Sequence, residues 1–234
     1  MFFIFKKNTI IIALILIITF IVVILMTALP GAKNTFLSNV NKTVIIDAGH
    51  GGFDGGAETN SGIYEKDLNL SIAKELELEL LKNGFSVIMT RNDDRALAST
   101  KKADIRARVK IMKENPHAIY IGIHCNKFPE SKYKGLQVFY SKNNSNSKEL
   151  ANEIQLSIRT NLQPDNKREA KQIDRSNYIL NNAPICAVIV ECGFISNSED
   201  LTNLQSDDYR KKLAEHITGG IINFYKKIAG ESNG

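Results

Sequence analysis

Two of the four histidines in this 234-residue chain fall where a hydrophobic run gives way to small and polar residues. His50 lies in Asp47-Ala48-Gly49-His50-Gly51-Gly52-Phe53-Asp54-Gly55-Gly56-Ala57, and His124 in Ile123-His124-Cys125-Asn126. A third cluster of the same character is Val190-Glu191-Cys192-Gly193-Phe194-Ile195-Ser196-Asn197. A lone histidine is more often a packed or hydrogen-bonded residue than a ligand, and nothing lifts His117 or His216 above that reading. Two imidazoles at neighbouring strand ends plus one carboxylate differ, because they make a three-ligand zinc site with a position left open for water. Glu65 offers the carboxylate, within Gly62-Ile63-Tyr64-Glu65-Lys66-Asp67-Leu68-Asn69-Leu70. Taken alone it reads as a helix-start acid favoured by the macrodipole, and Glu58 competes with it on spacing. Cys125, next to His124, is a further donor type, but strand alternation turns neighbouring side chains to opposite faces.

The elements that must position these residues alternate in kind. A continuous apolar run over 43–47 predicts a buried strand, ending in the Gly-rich turn of 49–56. Leu68, Ile72, Leu76, Leu80 and Leu81 recur at helical steps over 65–83, and Gly84 closes the pattern. Strands are expected at 85–90, 117–124, 136–140 and 185–191. Helices are expected at about 99–114, 147–161 and 208–228, the last through Leu213, Ile217, Ile221 and Tyr225. Strands alternating with helices predict a single α/β domain over 42–230, with a mostly parallel or mixed central sheet flanked by helices. Its chemistry is expected at strand ends, where open α/β sheets place their sites.

The first forty residues differ in kind. Residues 9–29 carry no charge and are mostly Ile, Leu, Val and Phe. As a helix rising about 1.5 Å per residue they would span about 30 Å, a bilayer's hydrocarbon core. Lys6 and Lys7 precede the run, and no clean small-x-small cleavage site follows it. The expectation is a cytoplasmic stub at 1–8, a transmembrane signal-anchor at 9–29, a linker at 30–41 and an exported domain beyond, with a cleaved signal peptide as the alternative. The net charge of +5 suits an anionic cell wall and is too weak and unclustered to suggest nucleic acid. Three cysteines, Cys125, Cys186 and Cys192, sit in apolar surroundings and read as small buried hydrophobes rather than a disulfide framework.

The four blocks 46–57, 62–70, 123–126 and 191–197, in that order, resemble the motifs of the zinc N-acetylmuramoyl-L-alanine amidases. The resemblance covers 43–228. It implies that His50, Glu65 and His124 bind one zinc ion and that Glu191 is the catalytic acid/base, cutting the amide between the lactyl group of N-acetylmuramic acid and L-alanine in peptidoglycan. Gly122 stands where the family commonly has serine, and Cys125 where it commonly has alanine. A bare catalytic domain behind an anchor is most similar to the spore-cortex, germination-specific amidases, with a regulatory or targeting protein outside the membrane as a further partner. A non-catalytic wall-binding protein of the same fold, and a cysteine hydrolase using Cys125 or Cys192, are the competing readings. The second needs a thiol facing an imidazole.

Overall fold

The computed structural model describes residue 12, residues 15–20 and residues 42–230. Residues 15–20 are helical and exposed. Among the described residues no helix is long and apolar enough to cross a membrane, and most of the span expected at 9–29, with the linker at 30–41, lies outside them.

The domain is built on a six-stranded sheet in the order β2-β1-β3-β6-β4-β5. These strands are β1 (Thr43–Ala48), β2 (Ser86–Met89), β3 (Ile119–Asn126), β4 (Gln137–Tyr140), β5 (Lys171–Gln172) and β6 (Ala187–Phe194). β1 pairs in parallel with β2 and β3, β3 with β6, and β4 with β5; the β4–β6 pairing is antiparallel. The sheet is therefore mixed, with its longest strands at the centre.

Helices cover both faces. Helix α1 (Glu65–Lys82), α3 (Asn146–Asn161) and α6 (Asp207–Ile228) line one side. Their buried stripes, among them Leu76, Leu80, Ile154 and Ile217, meet Val44, Ile46, Ile121, Ile123, Val188 and Val190 from the sheet. Such stripes are what holds amphipathic helices onto a sheet. Helix α2 (Lys101–Glu114) and the single turn α4 (Tyr178–Asn181) lie on the other side, where Val109, Met112, Ile179 and Leu180 cover Ile45, Tyr120, Ala187 and Ile189. Helix α5 (Ser198–Gln205) runs between β6 and α6.

The boundaries differ from expectation where caps and edges decide them. Helix α2 begins after Thr100, whose hydroxyl accepts the amide of Ala103, as an N-cap should. Strand β3 starts at Ile119 rather than at 117, because Pro116 and the exposed His117 lie in the preceding turn. Strand β6 continues three residues beyond Glu191 to Phe194, so Glu191 stands inside the strand instead of ending it. Strand β5 and helices α4 and α5 were not anticipated.

Candidate active site

β1 runs into a turn that few sequences tolerate. His50 has φ +62°, followed by glycines at φ +131° and +56°, a left-handed stretch that costs a non-glycine residue free energy. Two buried arginines hold this turn through its carbonyls. Arg91 donates from Nε to Ala48 O at 2.9 Å and from Nη2 to Gly49 O at 3.0 Å. Arg108 donates from Nη1 to Ala48 O at 3.0 Å and from Nη2 to His50 O at 2.8 Å. Arg108 in turn pairs with Asp104 at 2.8 Å and with the fully buried Asp47. Asp47 also accepts the hydroxyls of Thr90, at 2.6 Å, and of Tyr120. Burial alone would raise the Asp47 carboxyl; Arg108 and the two hydroxyls outweigh it and hold it below the usual carboxylate range.

The turn aims the His50 ring at Glu65, the first residue of α1. His50 Nε2 lies 3.2 Å from Glu65 Oε2, and Asp54 Oδ2 lies 2.9 Å from Nδ1 on the other side of the ring. From β3, His124 Nδ1 lies 3.0 Å from Glu65 Oε1. The two rings meet edge to face with centroids 5.1 Å apart. One donor atom from each of His50, Glu65 and His124 lies within 4.8 Å of the others. Glu65 is thus more than a helix-start acid: its oxygens also accept Ala57 N at 2.9 Å, Asn69 Nδ2 at 3.1 Å and Cys125 N at 3.3 Å. Burial would raise its carboxyl, but the hydrogen bonds and charges of His124 and His50 hold it far below the usual range. For His124, burial opposes the charged ring, and the Glu65 carboxylate overcomes that and raises its pKa.

Glycine is required around this cluster by contact. A Cβ on Gly49 would stand 2.3 Å from the His124 ring, and one on Gly56 would stand 2.7 Å from both Glu65 Oε2 and the His50 ring. The histidines lie directly against bare backbone.

Glu191 completes the group. In the parallel β3–β6 ladder it is the register partner of His124, so the two side chains share a face. Its Oε2 is buried and, among the described residues, has no hydrogen-bond partner. Burial pushes this carboxyl up to about 7, with His124 pulling it back and the Glu65 charge adding to the rise.

A family model described as N-acetylmuramoyl-L-alanine amidase matches residues 44–223. The chain belongs to that family. It is 36% identical over 192 residues to the germination-specific N-acetylmuramoyl-L-alanine amidase of Bacillus subtilis, covering 79% of this chain and 80% of the relative. The solved CwlD amidase of Clostridioides difficile, in complex with the GerS lipoprotein, is 36% identical with a TM-score of 0.75, over 80% of this chain and all of the other. A second N-acetylmuramoyl-L-alanine amidase from Clostridium difficile superposes with a TM-score of 0.71 at 28% identity, over 79% of this chain and 97% of that one.

In this amidase the remaining sequence candidates fall away from the cluster. Glu58 is exposed, and its carbonyl accepts Lys127 Nζ at 2.7 Å. His117 is exposed ahead of β3, and His216 lies on α6. Cys125 and Cys192 are 2% and 1% exposed in the main core, where burial pushes both thiols well above their ordinary range. Neither is the activated nucleophile a cysteine hydrolase requires. Cys186 is likewise buried, and all three are free. Gly122 has Ile189 packed where a side chain would stand, 2.9 Å from a Cβ.

The donor set fits a metal ion. Two imidazoles and a carboxylate held ionised bring donor atoms within 4.8 Å of one another, and Asp54 and Asn69 hydrogen-bond to His50 and Glu65 as outer partners do in metal sites. The arginine pair, Asp47 and Asp54 were the functional residues that sequence reasoning left without a role. Asp54, four residues after His50 inside the glycine-rich turn, carried a local signal; Arg91 and Arg108 carried none.

Proposed function

We propose that this amidase holds one zinc ion with His50, Glu65 and His124, and that Glu191 is its general acid/base. The observation that carries the reading is the unpartnered, buried Glu191 Oε2 beside three converging donor atoms. When bound, zinc would acidify a water molecule and polarise the lactyl carbonyl. The chain's own residues do the rest. Asp54 Oδ2 accepts a hydrogen bond from His50 Nδ1–H, which would leave Nε2 free to hold the metal. Glu191 Oε2 takes the proton of the attacking water and passes it to the departing alanine nitrogen, which cannot leave as an anion. A carboxyl raised towards neutrality by burial is suited to both transfers.

The substrate is the bond between the muramoyl lactyl group and L-alanine of peptidoglycan. We assign the chain to the germination-specific, spore-cortex branch on its likeness to the Bacillus and Clostridioides relatives. The GerS complex of the latter supports a lipoprotein partner here too. Residues 1–8 would lie in the cytoplasm, 9–29 would anchor the chain and 30–41 would tether the catalytic domain, 42–230, on the outer face.

Mass spectrometry of digested peptidoglycan tests the activity, with free lactyl groups and intact stem peptides as the expected products. Metal analysis should find one zinc per chain, and chelation should abolish cleavage until zinc is restored. Full activity in a rigorously metal-free preparation would overturn the metal assignment.

A further inference from the structure

Beyond Glu191 the sheet carries a second, differently built polar site. Gln137 on β4 is the antiparallel register partner of Glu191, so a row His124, Glu191, Gln137 crosses three adjacent strands on one face. Gln137 is buried, and both ends of its amide are spoken for: Nε2 donates to Glu169 O at 2.9 Å, and Oε1 accepts Arg168 Nη1 at 3.1 Å. Arg168 is fixed from three further directions. Its Nε donates to Lys134 O at 3.0 Å, its guanidinium lies 4.8 Å from the centroid of the Phe194 ring, and its amide donates to Asn166 Oδ1 at 2.9 Å. Asn166 is itself tied to Leu136 O at 2.8 Å. Among the described residues Arg168 Nη2 has no hydrogen-bond partner, and Arg168 and Gln137 both line a groove of about 740 Å³. Of the other charges lining the groove, Lys134 pairs with Glu199 at 2.6 Å, Lys167 and Lys171 stand beside Asp165 and Glu169, and the Asp200 carboxylate is engaged by the amides of Gly135 and Phe194.

We propose that Arg168 is a specificity-determining residue, its guanidinium binding the free carboxylate of the stem-peptide residue that follows the alanine. This rests on the catalytic reading above. With the leaving nitrogen facing Glu191, this assignment runs the peptide along the strand row past Glu191 towards Gln137 and Arg168, and sets the glycan on the opposite side. Only the peptide side offers a carboxylate, because the lactyl carboxyl is consumed in the scissile amide and the rest of the glycan bears hydroxyls and acetamides. A preorganised guanidinium with an open edge suits a carboxylate. Reach agrees as well. One strand spacing of about 5 Å and one hydrogen bond separate Glu191 from Arg168, and two residues of extended peptide cover about 7 Å.

The test compares full-length enzyme on two peptidoglycan preparations that differ only in whether this carboxylate is free or amidated. Wild type should favour the free form by at least tenfold in kcat/KM, mainly through KM, and the preference should shrink at molar salt. Arg168→Gln should bring the ratio to within about twofold, and Arg168→Lys should keep an intermediate preference. Equal cutting of both preparations by wild type overturns the proposal alone, whereas cutting of neither takes the catalytic reading down with it. A preference that survives in folded Arg168→Gln also overturns it. If that variant does not fold, a wild-type preference insensitive to salt does the same.

Discussion

The proposed metal donors and the proposed acid/base are separable by experiment. Glu191→Gln should keep zinc and fold while losing on the order of 10²–10⁴ in turnover, the usual contribution of a general acid/base; loss of metal from this variant would reverse its role with that of Glu65. Gly49→Ala is a sharper probe of geometry. Its new methyl would stand 2.3 Å from the His124 ring, so the ring must move. Zinc affinity should fall at least tenfold in a chelator competition while the circular dichroism spectrum stays native. Cys125→Ala and Cys192→Ala, which remove small buried groups from the core, should each cost about 1 kcal/mol and leave turnover within a few-fold. Complete inactivation of either with zinc retained would revive the thiol mechanism. His50 and His124 stood out because histidine is rare at the ends of apolar runs, whereas Glu65 and Glu191 were singled out through the family resemblance. That the Glu65 carboxylate lies between both imidazoles was not legible, since a first-turn acid gives the same local signal whether it faces solvent or another strand.

Between elements, the ionic network under the site links β1, β3 and α2. Asp47 is a strand residue, Tyr120 lies on the neighbouring strand and Arg108 lies on the covering helix. Removing one member of a buried pair strands the other, which typically costs about 3–5 kcal/mol. Asp47→Asn should therefore lower the urea midpoint markedly at pH 7. The pH dependence has a definite sign. The native Asp47 carboxyl is held below its unfolded value, so its contribution is complete above roughly pH 4 and is lost as pH falls through the native pKa. Wild type should lose stability on acidification more steeply than Asp47→Asn; parallel slopes would show that this carboxyl is not the linked group. The same network marks the limit of sequence reading at this scale. Strands β1, β2, β3, β4 and β6 and helices α1, α2, α3 and α6 announce themselves through unbroken or periodic apolar residues. Strand β5 is two exposed residues on an edge, and α4 is a single turn. Helix α5 is fixed mostly by the Asn197 cap and by Asp200, which accepts the amides of Gly135 and Phe194. A buried arginine in a helix whose exposed face is basic looks like any other surface cation.

For the whole molecule, the anchor expected at 9–29 makes location the measurable property. Full-length protein carrying a C-terminal tag should sediment with membranes and be protease-accessible from the outer side only. A soluble form lacking roughly the first 30 residues would identify a signal peptide instead. A tether over 30–41 reaches about 40 Å when extended, which would confine cleavage to wall next to the membrane. A different consequence follows from the strand order. Strand β6 is the last strand in the chain, yet it lies between β3 and β4 near the middle of the sheet. A polypeptide interrupted between Tyr140 and Ala187 holds all three proposed metal donors but lacks Glu191, and the edges of β3 and β4 that β6 would join are left bare. Exposed edges of this kind invite pairing with other chains, and joining distant segments makes folding slow. Synthesis of this enzyme therefore has a built-in order. On the proposed roles, the metal donors are in place early, Glu191 joins them only when the final strand slides into the gap, and a fragment halted between the two should be inert and prone to aggregate.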